Sequence, residues 1–265
     1  MGRCFLSLWL FLLLCLCARG QEPPFKAAVP SEEGFVAAGS CFARLDQEGT
    51  VLYEKPLDVP VSALCLWQGR MLALTADGEV QELDAKGDVV ARLPLSAGRG
   101  GLRDLASDGE LLAAVSDQGE ILLSRDAQSW TVLDFNADYA GYYPRMDFRA
   151  VSAGGGSILV AGVGEDGLPY AFVSSRGTVW SARSLEYTGR QGPLLPDSVP
   201  EGLDYDASGD CFYLSFRDGG LLTLPGCTHC NAWEQKVSGP LYACVRGAFS
   251  VLLLTDSGAL AVTNM

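Results

Sequence analysis

Apolar residues in this chain come in short runs, many of them alternating with polar residues, and the runs are divided by turns rich in Gly, Asp and Ser. Alternation with a period of two places successive side chains on opposite faces of a strand, so the pattern predicts β-structure along the whole chain. Five apolar runs end in a tight turn and resume at once. The turns are Asp77-Gly78, Asp117-Gln118-Gly119, Asp166-Gly167, Asp218-Gly219 and Asp256-Ser257-Gly258. Each is a hairpin signal, because Gly readily takes the positive φ that hairpin turns need. Successive turn aspartates lie 40, 49, 52 and 38 residues apart. Self-similarity at that period marks a repeat architecture, and the all-β unit of that size is the four-stranded propeller blade.

The second unit sets the template: Ser62 to Trp67, Arg70 to Thr75, Glu79 to Leu83 and Asp88 to Leu93. The third, fourth and fifth units repeat it, and the chain ends on three strands of a sixth, Tyr242 to Arg246, Ser250 to Leu254 and Ala259 to Thr263. At the other end, Phe35 to Ala38, Cys41 to Leu45 and Thr50 to Glu54 read as later strands of a first unit. Phe25 to Val29 is either that unit's first strand or a strand that completes the last blade and closes the ring, which would remove exposed sheet edges. The expected fold is all-β, a β-propeller of six four-stranded blades, ranked above five or seven blades and above a β-sandwich.

Residues 1–20 are expected to be a signal peptide. Arg3 precedes the apolar run Phe5 to Ala18, and Ala18 and Gly20 are small residues at the −3 and −1 positions of a cleavage site before Gln21. The run is short for a membrane span of about 20 residues, and leucine directly before Cys15 and Cys17 does not suit a lipid-anchored cysteine. Residues 21–265 then form one exported propeller domain, periplasmic, cell-surface or extracellular. No later run is long enough to span a membrane. This part of the chain has 17 basic residues against 32 acidic ones, a net −15. Such a surface repels phosphate backbones and excludes nucleic acid as a partner. Six cysteines follow the leader: Cys41, Cys65, Cys211, Cys227, Cys230 and Cys244. An even number in an exported chain is expected to form disulfides. Cys227-Thr228-His229-Cys230 has redox spacing but sits in a turn with no helix after it, and it supplies only one zinc knuckle. Neither a metal nor a cofactor is expected.

The turns between third and fourth strands carry a second signal. Ser124-Arg125-Asp126-Ala127-Gln128-Ser129-Trp130 reads S-x-D-x-x-x-W, and Ser174 to Trp180 keeps the serine-to-tryptophan spacing with Arg176 in the aspartate position. This resembles a short form of the Asp-box, or BNR, repeat of sialidase-like and other secreted propellers. The resemblance implies a structural role: aspartate holds turn amides and tryptophan packs between sheets. It also raises a glycan-binding or glycosidase alternative, which would need three arginines converging on the Asp-Gly face with a tyrosine and an acid. Arg145, Arg149, Arg190, Arg217, Tyr143 and Asp147 are the residues available for this. The family's F/Y-R-I-P segment is absent, and Tyr143-Pro144-Arg145-Met146 has the proline and arginine reversed.

Strand alternation puts the Asp-Gly turns and the blade-to-blade linkers on one face. Two linkers are long, Asn136 to Asp147 and Glu186 to Glu201. Insertions gathered on one face of a repeat ring mark a binding surface. Tyr139, Tyr142, Tyr143 and Arg145 in one linker, with Tyr187, Arg190 and Asp197 in the other, are therefore the candidate contacts for a protein or glycan partner; Tyr and Arg are enriched at binding hot spots. The Asp-Gly turns themselves lack the dense oxygen-ligand loop of a calcium site. The chain has no G-x-S-x-G turn and one histidine, His229, so a serine nucleophile system is not expected. Taken together, the residues predict an exported, non-catalytic binding module.

Overall fold

The computed structural model describes residues 23–95, 100–187, 198–226 and 231–263. The leader, Arg190, Asp197, Cys227 and Cys230 lie outside them. The described chain folds into six antiparallel sheets in sequence order. Blade one is β1 (Ala27–Pro30), β2 (Gly34–Ala38), β3 (Cys41–Asp46) and β4 (Val51–Pro56). Blade two is β5 (Val61–Trp67), β6 (Arg70–Thr75), β7 (Val80–Leu83) and β8 (Val89–Leu93). Blade three is β9 (Leu102–Ser107), β10 (Leu112–Ser116), β11 (Glu120–Ser124) and β12 (Thr131–Asp134). Blade four is β13 (Met146–Gly154), β14 (Ser157–Gly164), β15 (Pro169–Ser174) and β16 (Ser181–Arg183). Blade five is β17 (Pro200–Asp206), β18 (Cys211–Phe216), β19 (Gly220–Pro225) and β20 (Ala232–Gln235). Blade six is β21 (Leu241–Arg246), β22 (Ser250–Thr255) and β23 (Gly258–Thr263).

The first strands β1, β5, β9, β13, β17 and β21 stand side by side around a central channel, with β21 next to β1. This is a six-bladed β-propeller. The Phe25–Val29 segment resolves in favour of the first blade, since Ala27 pairs with Ala38. Blade six therefore has three strands among the described residues, and within them blade six meets blade one through packed side chains. Phe25, Phe35 and Leu45 of blade one pack on Val245, Leu252 and Leu254 of blade six, and the Ser250 hydroxyl donates to the Gln47 carbonyl at 2.5 Å.

Burial follows position in the blade. Second strands lie between neighbouring blades, so they are covered on both faces and read as continuous apolar runs, as in Leu112–Ser116 and Ser250–Thr255. The outermost strand Val51–Pro56 is exposed along nearly its whole length. Each of the six junctions between consecutive blades holds its own buried apolar cluster.

The turns behave as their residues demand. Gly78, Gly119, Gly167, Gly219 and Gly258 all have positive φ, between 77° and 115°. Ser124 Oγ accepts from the amides of Asp126 and Ala127, while Asp126 Oδ1 accepts from Gln128 and Ser129. Those bonds hold the Asp126 carboxyl down at about 2. Trp130 and Trp180 pack into the inter-blade clusters, the role expected of them. Among the described cysteines, Cys41, Cys65, Cys211 and Cys244 are free thiols, so the expected disulfides are not found there. Burial raises the pKa of all four.

Candidate functional site: the mouth of the central channel

Five inner strands share one irregularity. Pairing with the second strand slips by one residue between Val61 and Ala63, Leu102 and Asp104, Phe148 and Ala150, Pro200 and Gly202, and Leu241 and Ala243. The extra residues are Ser62, Arg103, Arg149, Glu201 and Tyr242. A β-bulge turns its residue out of the ladder and re-aims the side chain. All five line one cavity of about 600 Å³ at the Asp-Gly end of the channel. In blade one the register is regular, and Lys26, just before β1, takes the sixth place. The mouth is thus a ring of six polar residues, one per blade, with Arg217 of blade five beside it.

Carboxylates hold several of these side chains. Asp117, from the blade-three hairpin turn, pairs with Arg103 at 3.2 Å. Asp147 pairs with Arg149 at 2.8 Å, and Glu201 pairs with Arg217 at 2.5 Å. The Tyr242 hydroxyl donates to Asp256 of the blade-six turn at 2.6 Å. Burial first, and then that bond, raises the Tyr242 pKa. Lys26 pairs with no carboxylate among the described residues.

Below the mouth the channel continues as a space of about 600 Å³ bounded by all six inner strands. Two carboxyls in its wall tie neighbouring blades together. Asp104 Oδ2 accepts from the Val151 amide at 2.8 Å, and Asp204 Oδ2 accepts from the Cys244 amide at 3.0 Å. Each is partly open to the channel, but protein surrounds it. This desolvation outweighs the amide bonds and lifts Asp104 to about 8 and Asp204 to about 7.

The linker residues predicted from sequence lie elsewhere. The first long linker does sit on the Asp-Gly face: Asn136 donates to the Gln118 carbonyl at 2.8 Å. It opens with one helical turn, α1 (Phe135–Asp138), capped by Asp134 accepting from Ala137 at 3.1 Å. Tyr139 stacks on Phe135 at 4.5 Å and its hydroxyl accepts from the Trp180 amide, while Tyr143 packs edge-on to Phe172 at 4.8 Å. Both fill the junction between blades three and four. Tyr142 is 83% exposed, and Arg145 is also exposed. Tyr187 stacks on Trp233 at 5.5 Å. None of these five lines the mouth or the channel. Of the residues considered for an arginine cluster, Arg149 and Arg217 reach the mouth; Tyr143 and Arg145 do not. Arg103, Tyr242 and Glu201 complete a group of three arginines, a tyrosine and an acid. What the sequence offers for finding this ring is a polar residue at or near the start of each inner strand, among other polar residues of the same strands; the bulge that aims it leaves no mark of its own.

No family model matches the chain, and no curated protein matches it in sequence. Solved structures do resemble it in shape. A chain in the crystal structure of a nidogen/laminin complex superposes with a TM-score of 0.65 at 12% identity, over 86% of this chain and 88% of that one. The computationally designed Ika8 protein superposes with a TM-score of 0.53 at 11% identity, over 93% of this chain and 98% of that one. At such identities the likeness is one of fold: the protein is a six-bladed propeller.

Proposed function

We propose that the protein is an exported, non-catalytic binding module that takes its partner, a protein or a glycan, at the channel mouth on the linker-bearing face. The observation behind this reading is the five one-residue bulges, which turn a polar side chain into the same cavity from five blades. The departure from regular pairing recurs at one position in five blades, and bulges gather beside functional sites. The partner complex of the nidogen/laminin structure is compatible with a protein ligand. The test is a ligand screen by thermal shift on the wild type, Ser62→Phe, which fills the mouth, and Tyr142→Ala on the linker. Ligands should be lost with Ser62→Phe and kept with Tyr142→Ala; ligands that bind both alike exclude the mouth. For export, the mature protein should begin at Gln21 by intact mass, and a chain that keeps residues 1–20 overturns that part.

A second reading is glycan-directed and sialidase-like. Arg103, Arg149 and Arg217 share the mouth with Glu201 and Tyr242, and the Tyr242–Asp256 hydrogen bond is a nucleophile-and-base arrangement. The turn from Ser124 to Trp130 has the amide-holding role of an Asp-box. Hydrolysis of a fluorogenic sialoside that disappears in Tyr242→Phe would support this reading, and absence of turnover in the wild type would sink it.

A further inference from the structure

The charges at the mouth narrow the ligand class, an inference that rests on the mouth being the binding site. The chain carries a net −13, yet the cavity wall holds four cations, Lys26, Arg103, Arg149 and Arg217, against one carboxylate, Glu201. The other two carboxylates of the ion pairs, Asp117 and Asp147, do not face the cavity. Each pairs with its arginine through part of the guanidinium, and the remaining N–H donors stay available. Arginine offers five donors, so one carboxylate does not exhaust it. A low-dielectric cleft lined mainly by one sign of charge focuses its field on an incoming ion of the other sign.

The cations are also spread around the rim. Lys26 comes from blade one, Arg103 from blade three, Arg149 from blade four and Arg217 from blade five. In a ring of six, blades one and four are opposite. A ligand with two or more separated carboxylates suits cations placed on opposite sides of one cavity. The volume of about 600 Å³ is that of a small-molecule site. The Ser62 and Tyr242 hydroxyls on the rim donate to the Leu74 carbonyl and to Asp256, and their oxygens remain to accept from hydroxyls of the ligand. We infer that the channel mouth binds a small organic polycarboxylate, held between Lys26 on one side and Arg149 with Arg103 on the other.

Calorimetric titration at low salt tests this with citrate, acetate, N-acetylneuraminate and glucose as probes. Citrate should bind at least about tenfold more tightly than acetate, and its affinity should fall as salt screens the charges. Lys26→Gln and Arg149→Gln should each weaken citrate about tenfold, the scale of one lost charge-assisted contact. Tyr142→Ala should leave it unchanged, and the melting temperature of each variant monitors folding. Citrate no tighter than acetate, or unaffected by Lys26→Gln and Arg149→Gln in folded protein, overturns the inference. A neutral or monocarboxylate probe such as glucose or N-acetylneuraminate that binds more tightly than citrate, and is lost in Ser62→Phe, overturns it while leaving the mouth as the site. Citrate binding that survives Ser62→Phe removes both.

Discussion

The junction between blades three and four and the junction between blades five and six face the same structural task and meet it differently. The first buries Phe135, Phe148, Phe172 and Trp180, with Tyr139 and Tyr143 of the long linker packed against them. Among the described residues, the second buries Leu221, Leu241, Cys244, Val251 and Leu253, with Tyr213, Val237 and Val262 alongside. Both also carry one channel carboxyl bonded to the next blade's main chain, Asp104 to Val151 and Asp204 to Cys244. Where the aromatic filling is rich, that bond is one contribution among many; where the filling is thin, it weighs more. The difference teaches what the long linker is for. Its tyrosines extend a core outward, and the exposed residues that remain, Tyr142 and Arg145, stand away from the channel.

The comparison breaks most readily at its aromatic centre. Phe172→Ala removes a fully buried ring that touches Phe135, Tyr143 and Phe148, and it should cost about 3–5 kcal/mol in chemical denaturation. At the thinner junction, Leu253→Ala should cost about 2–5 kcal/mol. Native-state hydrogen exchange should show β22 opening at lower free energy than β14; equal protection of both would erase the contrast.

Next comes the carboxyl. Asp204→Ala leaves the Cys244 amide without its acceptor and should cost about 1–3 kcal/mol, more than Asp104→Ala does at the aromatic junction. The pH dependence sharpens this. Asp204 titrates at about 7 in the fold, above the carboxylate's ordinary value. Between about pH 4 and pH 7 the folded state keeps a proton that the unfolded chain has released, so stability falls as pH rises through that window. Asp204→Asn should flatten the fall, and an unchanged slope would show that the carboxyl is ionised in the fold. The smallest effect is expected far from both junctions' centres: Ser124→Ala removes the hydroxyl that caps two turn amides and should cost about 1 kcal/mol, measured as a shift in denaturation midpoint.

Much of the fold was legible from short-range rules. Glycines in the Asp-Gly turns adopt the positive φ expected of them, and the strands between them fall where alternation put them. The Phe25–Val29 ambiguity could not be resolved that way, because the first-blade and last-blade readings place the same residues in the same kind of strand. The site was less legible. Tyr139 and Tyr143 look like surface recognition residues in sequence, since a half-buried aromatic and an exposed one obey the same local rules. Their fate was decided by Phe135 and Phe172, which offered a face to stack on. Of the ring, the sequence points to Arg149 alone; Lys26, Ser62, Arg103, Glu201 and Tyr242 are far apart in the chain and nothing local links them.

By itself, then, the amino-acid sequence determined the repeat and the hairpins, ranked six blades first and put the first long linker on the Asp-Gly face, because turn chemistry and strand alternation act over a few residues. Only the tertiary structure decided which side chains meet. Closing six sheets around an axis brings Ser62, Arg103, Arg149, Glu201 and Tyr242 of five inner strands, and Lys26 just before β1, to a common mouth, and a one-residue slip in pairing turns the five strand side chains into it.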